Sequence, residues 1–241
     1  MSLPDSVALV TGASSGIGAA TARALVRAGA RVALVARRRD RLAELVRELG
    51  EDRALALEAD VAQADAAQDA VQQTLARWSR LDVLVNNAGV MMLGAVDGAP
   101  IADWRAMFDV NVLGLMYMTR AALPAMKSRQ SGHVVNMSSV SGRVVSARSA
   151  VYSATKFAVG AFSEGLRQEV LSHGIRVTVI EPGVVATELA DGITDANVRK
   201  SVKDWVASMT PLAAEDVAAA VVYAVTQPPH VAVNELLIRP R

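Results

Sequence analysis

Short apolar runs alternate with longer segments of helical periodicity along the whole chain. The seven runs are Val7–Thr11, Arg31–Ala36, Arg53–Glu58, Leu81–Asn86, His133–Met137, Arg176–Glu181 and Val233–Ile238. Continuous apolar runs of this length are typical of buried parallel strands. Helical patterns separate them: to about residue 28, over about 40–49, to about 78, and over about 101–127, 151–172 and 215–225.

This alternation predicts the fold class. Strands that alternate with helices predict an α/β, single-domain Rossmann fold: a doubly wound, seven-stranded parallel sheet with helices on both faces. No linker, repeat or low-complexity segment interrupts the pattern, so one domain is expected over 1–241. Residues 186–208 are more polar and predict a partly helical insertion, which is a candidate lid over a substrate.

A glycine-rich turn connects the first predicted strand to the first helix. Thr11–Gly18 reads Thr-Gly-Ala-Ser-Ser-Gly-Ile-Gly. Gly12 permits a tight turn, Gly16 allows the backbone to approach a pyrophosphate, and Gly18 allows close packing of helix on strand. The helix N-terminus offers free N–H groups to phosphates. The turn therefore predicts a dinucleotide site, the alternative being a connection without a ligand. The predicted contacts are Gly12, Ser14, Ser15, Gly16, Ile17 and Gly18.

The end of the second strand distinguishes between the two nicotinamide cofactors. NAD sites usually carry an acidic residue there, which binds the ribose 2′-hydroxyl group. Here Ala36 occupies that position, and Arg37 and Arg38 follow it. An arginine side chain suits a 2′-phosphate, so the sequence predicts NADP(H), with Arg37 as the main contact. The alternative for this basic patch is a solvated turn.

Tyr152 and Lys156 lie four residues apart, so on a helix both side chains project from one face. A free tyrosine has a pKa of about 10, and a nearby ammonium group lowers it. A tuned tyrosine exchanges a proton with a carbonyl or alcohol oxygen, which a serine hydroxyl would help to hold. Ser139 lies thirteen residues before the tyrosine. Taken alone, the Tyr/Lys pair equally fits an ordinary helix surface.

Further motifs follow in a fixed order: Asp60-Val61, Asn86-Asn87-Ala88-Gly89, Asn111, Ser139, the Tyr152/Lys156 pair, Pro182-Gly183 and Thr187. With these motifs the chain resembles the short-chain dehydrogenases/reductases along nearly its whole length. Within that family, residues 114–124, 180–183 and 234–240 look like the branch of clavulanic acid dehydrogenase and NADP-dependent 3-hydroxy acid dehydrogenase.

The resemblance implies a catalytic tetrad of Asn111, Ser139, Tyr152 and Lys156. Ser139 and Tyr152 would hold the carbonyl oxygen, and Tyr152 would give its proton to the alkoxide formed by hydride transfer. Lys156 would lower the tyrosine pKa and bind the nicotinamide ribose, while Asn111 would hold a water that links Lys156 to solvent. The thirteen-residue spacing selects Ser139 by this likeness; Ser138 and Ser141 are the competing hydroxyl groups.

The resemblance extends the predicted cofactor site beyond the glycine turn. Its further contacts are Asp60, Val61, Asn87, Ala88, Gly89, Tyr152, Lys156, Pro182, Gly183, Val185 and Thr187. Asn87 has an alternative role, in which it fixes the loop after the fourth strand. The predicted substrate contacts are Ser139, Tyr152, Met91, Met92 and Arg148. Arg143 and Arg148 are candidates for a substrate carboxylate, or else contact solvent or another subunit.

The resemblance also implies assembly and activity. Long helices of relatives pack between subunits, so a homotetramer, or a dimer, is expected. The apolar residues proposed for that surface are Ala106, Leu113, Met116, Met118, Phe157 and Phe162; burial within one subunit is the alternative. The expected function is NADP(H)-dependent interconversion of an alcohol, including a hydroxy acid, with an aldehyde or ketone. The alternatives are a 3-ketoacyl-thioester reductase and a nucleotide-binding sensor without turnover.

Composition narrows the remaining classes. The chain has no cysteine, which excludes disulfides and thiolate ligands, and its three histidines lack ligand spacing, so no metal site is expected. The net charge of +1 gives no general attraction to nucleic acid. No apolar run reaches the length of about 20 residues that spans a bilayer, and no signal peptide is recognised at the start. A cytoplasmic enzyme with a small-molecule substrate is therefore expected.

Overall fold

The computed structural model describes residues 3–241 and contains one seven-stranded sheet. The strands are β1 (Val7–Thr11), β2 (Arg31–Ala36), β3 (Ala54–Glu58), β4 (Val83–Asn86), β5 (Gly132–Met137), β6 (Ile175–Pro182) and β7 (Glu235–Ile238). Their order is β3-β2-β1-β4-β5-β6-β7, and every neighbouring pair is parallel. The predicted fold class is confirmed.

Eight α-helices connect and cover the strands within the described residues. They are α1 (Gly16–Arg27), α2 (Arg39–Leu49), α3 (Ala64–Trp78), α4 (Ile101–Phe108), α5 (Leu115–Ser128), α6 (Ala150–Val170), α7 (Ala196–Ala207) and α8 (Ala214–Val225). The predicted boundaries agree within a few residues. Strand β4 is shorter than its apolar run, because only Val83–Asn86 pair with the neighbouring strands.

The long helix predicted over 101–127 is not uniform. A π-helical segment, Asp109–Gly114, separates α4 from α5, and it contains Asn111. Such wide turns occur mainly at functional sites, and an apolar periodicity does not reveal them. The predicted insertion contains a 3₁₀ turn, Glu188–Gly192, followed by α7.

Two apolar layers enclose the sheet. One layer packs α1, α2 and α8 against one face, with Leu25, Leu34 and Val217 fully buried. The other packs α3, α5 and α6 against the opposite face, with Leu84 and Met118 fully buried. Met118 was predicted as subunit surface, which is wrong: its side chain lies inside this layer, because it faces the sheet from α5.

The strand order places a crevice at the carboxyl ends of β1 and β4. The chain runs outward from β1 to β3 and then returns to the other side of β1 with β4. In open parallel sheets, ligands bind at this reversal point. The loops that follow β1, β4, β5 and β6 all lie at this edge, and they carry the residues of the candidate site.

Candidate active site

The turn after β1 has the shape of a phosphate cradle. Gly12 and Gly16 adopt positive φ angles of 65° and 50°, which other residues rarely tolerate. A Cβ atom on Gly18 would lie 2.3 Å from the carbonyl oxygen of Gly12, so only glycine fits there. No side chain caps α1 at Ser15, which leaves the first N–H groups of the helix available to an anion. The residues present therefore fit a pyrophosphate.

Thr11 and Asn87 tie the phosphate turn to the loop after β4. The Thr11 hydroxyl accepts hydrogen bonds from the backbone N–H groups of Asn87 and Ala88, at 2.9 and 3.0 Å. The Asn87 amide donates to the carbonyl oxygen of Thr11 at 2.9 Å. Asn87 therefore has the alternative role given above, in which it fixes the loop after β4. These hydrogen bonds join that loop to the phosphate turn at the reversal point of the sheet.

Arg38, rather than Arg37, lies over the phosphate turn. Its Nε atom donates to the Ser14 hydroxyl at 3.0 Å, and its Nη2 atom donates to the Ser15 hydroxyl at 2.6 Å. The Arg37 side chain is exposed and makes no hydrogen bond or ion pair within residues 3–241. Successive residues that leave a strand point in opposite directions, so only one of the two arginines turns toward the crevice.

Two of the predicted cofactor contacts, Asp60 and Val61, follow β3. The Asp60 carboxylate accepts a hydrogen bond from the backbone N–H of Ala62 at 3.0 Å, which fixes the turn. Val61 is buried and packs against Gly114, where a Cβ atom would lie 2.9 Å from the Val61 side chain. The π-helical segment therefore supports this wall of the crevice from behind.

Tyr152 and Lys156 lie one turn apart near the start of α6, and both are buried. Ser139 lies at the end of β5 and caps a 3₁₀ turn, where its hydroxyl accepts the N–H of Ser141 at 3.1 Å. Ser138 is the other candidate hydroxyl, and it donates to the carbonyl oxygen of Lys156 at 3.1 Å. Ser138 is therefore occupied by the backbone of α6, whereas Ser139 is the hydroxyl whose interaction with the phenol lowers the pKa of Tyr152.

Burial governs the protonation of the pair. It raises the pKa of the Tyr152 phenol to about 12, while the interaction with Ser139 lowers that pKa in part. Burial also lowers the pKa of the Lys156 ammonium to about 8. The sequence predicted a tyrosine pKa lowered by the lysine. In the structure burial has the largest influence on the phenol pKa, and it acts in the opposite direction.

Asn111 positions the loop after β4. Its side-chain amide pairs with both backbone groups of Val90, accepting at 2.8 Å and donating at 2.9 Å, and it also donates to the Thr155 hydroxyl at 3.1 Å. A Cβ atom on Gly89 would lie 3.4 Å from Oδ1 of Asn111 and 3.9 Å from Nζ of Lys156. Asn111 and Lys156 thus flank Gly89. The water-mediated relay stays a prediction, since the side chain of Asn111 is bound to protein atoms.

Arg143 and Arg148, the two candidates for binding a substrate carboxylate, have different surroundings. Arg143 forms ion pairs with the carboxylates of Glu181, at 2.5 Å, and Glu235. It is therefore engaged by the protein and is not free for a substrate. Arg148 is exposed, makes no ion pair within residues 3–241 and adopts a positive φ of 68°. Its carbonyl oxygen accepts the N–H of Gly94 at 2.9 Å, which links this turn to the loop after β4.

The predicted insertion borders the substrate side. The backbone of Met92 donates to the sulfur of Met107 at 3.4 Å, and the Met91 carbonyl oxygen lies 4.0 Å from the Cβ position of Gly192. The insertion is anchored by Ile193, which is fully buried, and by the Thr194 hydroxyl, which donates to Asp103 on α4 at 2.5 Å. Met91 therefore lies beside the candidate lid, whereas Met92 contacts α4.

The segment after β6 reaches across to the phosphate turn. Gly183 donates to the carbonyl oxygen of Ile238 on β7 at 2.7 Å, and Val185 forms an isolated bridge with Leu212. A Cβ atom on Gly16 would lie 3.0 Å from the Thr187 methyl group. Pro182 accepts a hydrogen bond from the Ser139 hydroxyl at 3.4 Å. This segment of predicted cofactor contacts thus lies between Ser139 and the phosphate turn.

Glu188 also lies at this site, and the sequence analysis missed it. Its carboxylate forms ion pairs with Arg38 and Arg41 at 2.8 and 2.6 Å. Because 150 residues separate Glu188 from Arg38, no local pattern connects them. Only the return of the chain after β6 brings them together.

Membrane-spanning helices and metal-binding clusters are both absent from residues 3–241. No helix in this range is long and apolar enough to cross a membrane. In the same range, no three histidine, aspartate or glutamate side chains form a group that could hold a metal ion.

Comparison with known proteins identifies the family. The short chain dehydrogenase family profile matches residues 6–198. An uncharacterized oxidoreductase of Staphylococcus saprophyticus is 40% identical over 241 residues, which cover 99% of this chain and 98% of the relative. Among solved structures, the closed form of a serine dehydrogenase complexed with NADP⁺ superposes with a TM-score of 0.90 at 38% identity, covering 96% of this chain and 93% of that chain.

Two further structures differ in their bound cofactor. A metagenomic short-chain oxidoreductase in complex with NADP has a TM-score of 0.84 and 32% identity, with 100% of this chain and 99% of that chain covered. A Burkholderia phymatum short-chain dehydrogenase/reductase in complex with NAD has a TM-score of 0.89 and 26% identity, with 98% and 90% covered. On these matches and the site geometry, the chain belongs to the short-chain dehydrogenase/reductase family and is an oxidoreductase.

Proposed function

We propose that this protein is an NADP(H)-dependent oxidoreductase that interconverts an alcohol and an aldehyde or ketone, with Tyr152 as the general acid/base. One observation carries the proposal. A buried tyrosine, a serine hydroxyl and a buried lysine converge beside a phosphate cradle at the reversal point of the sheet. A proton-transfer group therefore lies next to the site that fits a dinucleotide.

The choice of NADP(H) rests on the end of β2. Ala36 carries no carboxylate that would repel a 2′-phosphate, and the Arg38 guanidinium lies on the serine hydroxyls of the phosphate turn. The similar serine dehydrogenase and metagenomic oxidoreductase were solved with NADP⁺ or NADP, although the Burkholderia relative was solved with NAD. The predicted contacts around Gly12–Gly18, Asp60 and Thr187 would hold the remainder of the dinucleotide. When bound, the nicotinamide supplies or accepts the hydride.

Residues of the chain supply the proton that the alkoxide needs. With its pKa near 12, the Tyr152 phenol is protonated at neutral pH and is ready to donate to an alkoxide. The Ser139 hydroxyl, which donates to the Pro182 carbonyl oxygen in this structure, would turn its proton to the same substrate oxygen and orient it. Lys156 is an ammonium below about pH 8, and its charge opposes the cost of forming a buried phenolate.

A hydroxy acid is the proposed substrate class. Since Arg143 is held by Glu181 and Glu235, Arg148 is the candidate arginine without an ion pair within the described residues. A similar solved structure is that of a serine dehydrogenase, whose substrate name denotes a carboxylated alcohol. Carboxylate binding by Arg148 is therefore proposed, with Met91 and Met92 lining the apolar part of the pocket.

Assembly into a homotetramer is proposed as well. Phe108, Leu113 and Phe157 expose 40%, 37% and 45% of their surface on α4, the π-helical segment and α6. Large apolar side chains that remain exposed on adjacent helices support a subunit interface.

The test compares wild type with Tyr152→Phe on aldehydes, ketones, hydroxy acids and a 3-ketoacyl thioester, following NADPH absorbance. General acid/base catalysis contributes about 10²–10⁴-fold, so the variant should lose turnover on this scale while still binding NADPH. Tyr223→Phe is the matched control, because its exposed phenol lies on α8, and it should retain activity. Unchanged turnover in Tyr152→Phe would overturn the assigned role.

A further inference from the structure

Glu188 forms an ionic bridge across the mouth of the cofactor crevice. One carboxylate oxygen accepts from Nη1 of Arg38 at 2.8 Å, and the other accepts from Nη1 of Arg41 at 2.6 Å. Both arginines belong to the turn and first helical residues after β2, whereas Glu188 opens the 3₁₀ turn of the insertion. An acidic side chain of the candidate lid therefore binds the basic group at the end of β2.

The backbone before Glu188 fixes this placement. The Thr187 hydroxyl accepts from the backbone N–H of Leu189 at 3.4 Å and caps the 3₁₀ turn. The Thr187 methyl group lies beside Gly16, where it would touch an added Cβ atom at 3.0 Å. Glu188 is thus held near the phosphate turn by its neighbour, and its position does not depend on the ion pairs alone.

The arginines keep the Glu188 carboxylate ionised. Hydrogen bonds from Arg38 and Arg41 lower the pKa of this carboxyl to about 2. The side chain remains 46% exposed, so water and salt still reach it. At any pH at which the enzyme would work, a full negative charge therefore lies against the guanidinium groups.

A 2′-phosphate bound in the same region would meet that charge. Arg38 already gives one hydrogen bond each to Ser14, Ser15 and Glu188. An arriving phosphate either displaces the carboxylate from Arg38 or binds beside it and is repelled. Both routes weaken the binding of a 2′-phosphorylated dinucleotide, whereas a cofactor with a 2′-hydroxyl group carries no charge there.

We infer that Glu188 is a specificity-determining residue that competes with the cofactor 2′-phosphate for Arg38 and Arg41 and so limits the preference for NADP(H). The inference rests on the proposed function, because it requires NADP(H) to bind this crevice. The insertion of residues 186–208 then has a second role. Besides bordering the predicted substrate contacts, it places a negative charge against Arg38 and Arg41, which would bind the 2′-phosphate.

The test measures dissociation constants of NADPH and NADH, and of adenosine 2′,5′-bisphosphate and 5′-AMP, for wild type and Glu188→Gln. Removal of one nearby like charge should tighten binding of the two 2′-phosphorylated ligands about fivefold. The constants for NADH and 5′-AMP should stay within about twofold, and added salt should reduce the gain. Asp191→Asn is the matched control, since Asp191 lies in the same 3₁₀ turn but pairs with Lys203.

The outcomes separate the cofactor proposal from the role of Glu188. If wild type prefers NADPH but Glu188→Gln binds it equally or more weakly, the inference is overturned and the proposed cofactor stands. If NADPH binds no more tightly than NADH in both wild type and Glu188→Gln, the cofactor proposal fails and the inference falls with it. A parallel gain for NADH would show general loosening of the crevice and would also overturn the inference; Glu188→Ala repeats the measurement without an amide at this position.

Discussion

Lys156 holds its Nζ atom 5.8 Å from the ring centre of Tyr152 and donates a hydrogen bond to the Met137 carbonyl oxygen at 2.9 Å. The ammonium is thus fixed by β5 and acts on the phenol through space. Because both groups are buried, a change in the charge of the lysine is felt strongly by the tyrosine. The protonation of Lys156 is therefore expected to control proton transfer.

The rate of carbonyl reduction should depend on pH through Lys156. Burial lowers the pKa of this lysine to about 8, so its positive charge is present below that pH and is lost above it. Tyr152 keeps its proton up to about pH 12 and does not limit the donation. The value of kcat/KM for the reduction should be level below pH 8 and fall above it. Initial rates between about pH 6 and 10 check this.

A Lys156→Met variant supplies the control for this profile. It should be much less active and should lack the break near pH 8, because no titrating ammonium remains. A wild-type profile that stays level up to about pH 10 would contradict the assignment of Lys156.

Replacement of Arg38 should narrow the cofactor preference more than replacement of Arg37. Arg38 is the guanidinium at the phosphate turn, whereas Arg37 is exposed. Loss of one charge-assisted contact is worth about 1.5–3 kcal/mol, so the ratio of NADH to NADPH Michaelis constants should fall about tenfold or more in Arg38→Gln. A larger fall in Arg37→Gln would restore Arg37 as the main contact, as the sequence alone suggested.

Arg148→Gly should separate stability from substrate binding. A residue other than glycine at positive φ costs about 1–2 kcal/mol, so glycine relieves strain at this position while it adds freedom to the unfolded chain. The free energy of unfolding should therefore change little. KM for hydroxy acids should rise about tenfold, whereas KM for neutral alcohols should not. An equal change for both substrate classes would argue against carboxylate binding by Arg148.

Stability in mild acid should depend on His133. Its Nε2 atom contacts the Thr178 hydroxyl at 2.7 Å, and its buried Nδ1 atom has no hydrogen-bond partner within residues 3–241. Burial, with Arg176 nearby, lowers the histidine pKa to about 3. The unfolded chain takes up this proton near pH 6.5 and the folded chain does not, so acidification favours unfolding.

The expected loss is about 1.4 kcal/mol per pH unit below 6.5, or about 2 kcal/mol by pH 5. Urea unfolding of wild type and His133→Phe between pH 5 and 7 checks it. The variant should show a flatter dependence on pH, whatever its absolute stability. Parallel curves for the two proteins would exclude His133 as the cause.

The sequence predicted the sheet, the glycine turn and the shared helix face of Tyr152 and Lys156 because each depends on local spacing. Apolar runs specify buried strands, and Gly12, Gly16 and Gly18 specify a turn that other residues rarely tolerate. The pair Tyr152 and Lys156 is set by a single helical turn. These features can be predicted without knowing which distant residues contact them in the folded chain.

Other features depend on distant contacts and escaped prediction. Only the folded chain shows that Arg143 is neutralised by Glu181 and Glu235, or that Arg38 turns inward while Arg37 does not. Burial likewise raises the pKa of Tyr152, although the residue spacing predicted that it is lowered. Desolvation is a property of the assembled pocket, and residue spacing does not report it.

The wide turn at Asp109–Gly114 limits how this region can change in length. One residue more or less on a helix rotates everything beyond it by about 100°. A deletion within the segment would either turn Asn111 away from Val90 and Thr155 or swing the outer face of α4 relative to α5. The orientation of Asn111 and that of the exposed apolar surface around Phe108 are therefore coupled, and insertions or deletions that alter one must also alter the other.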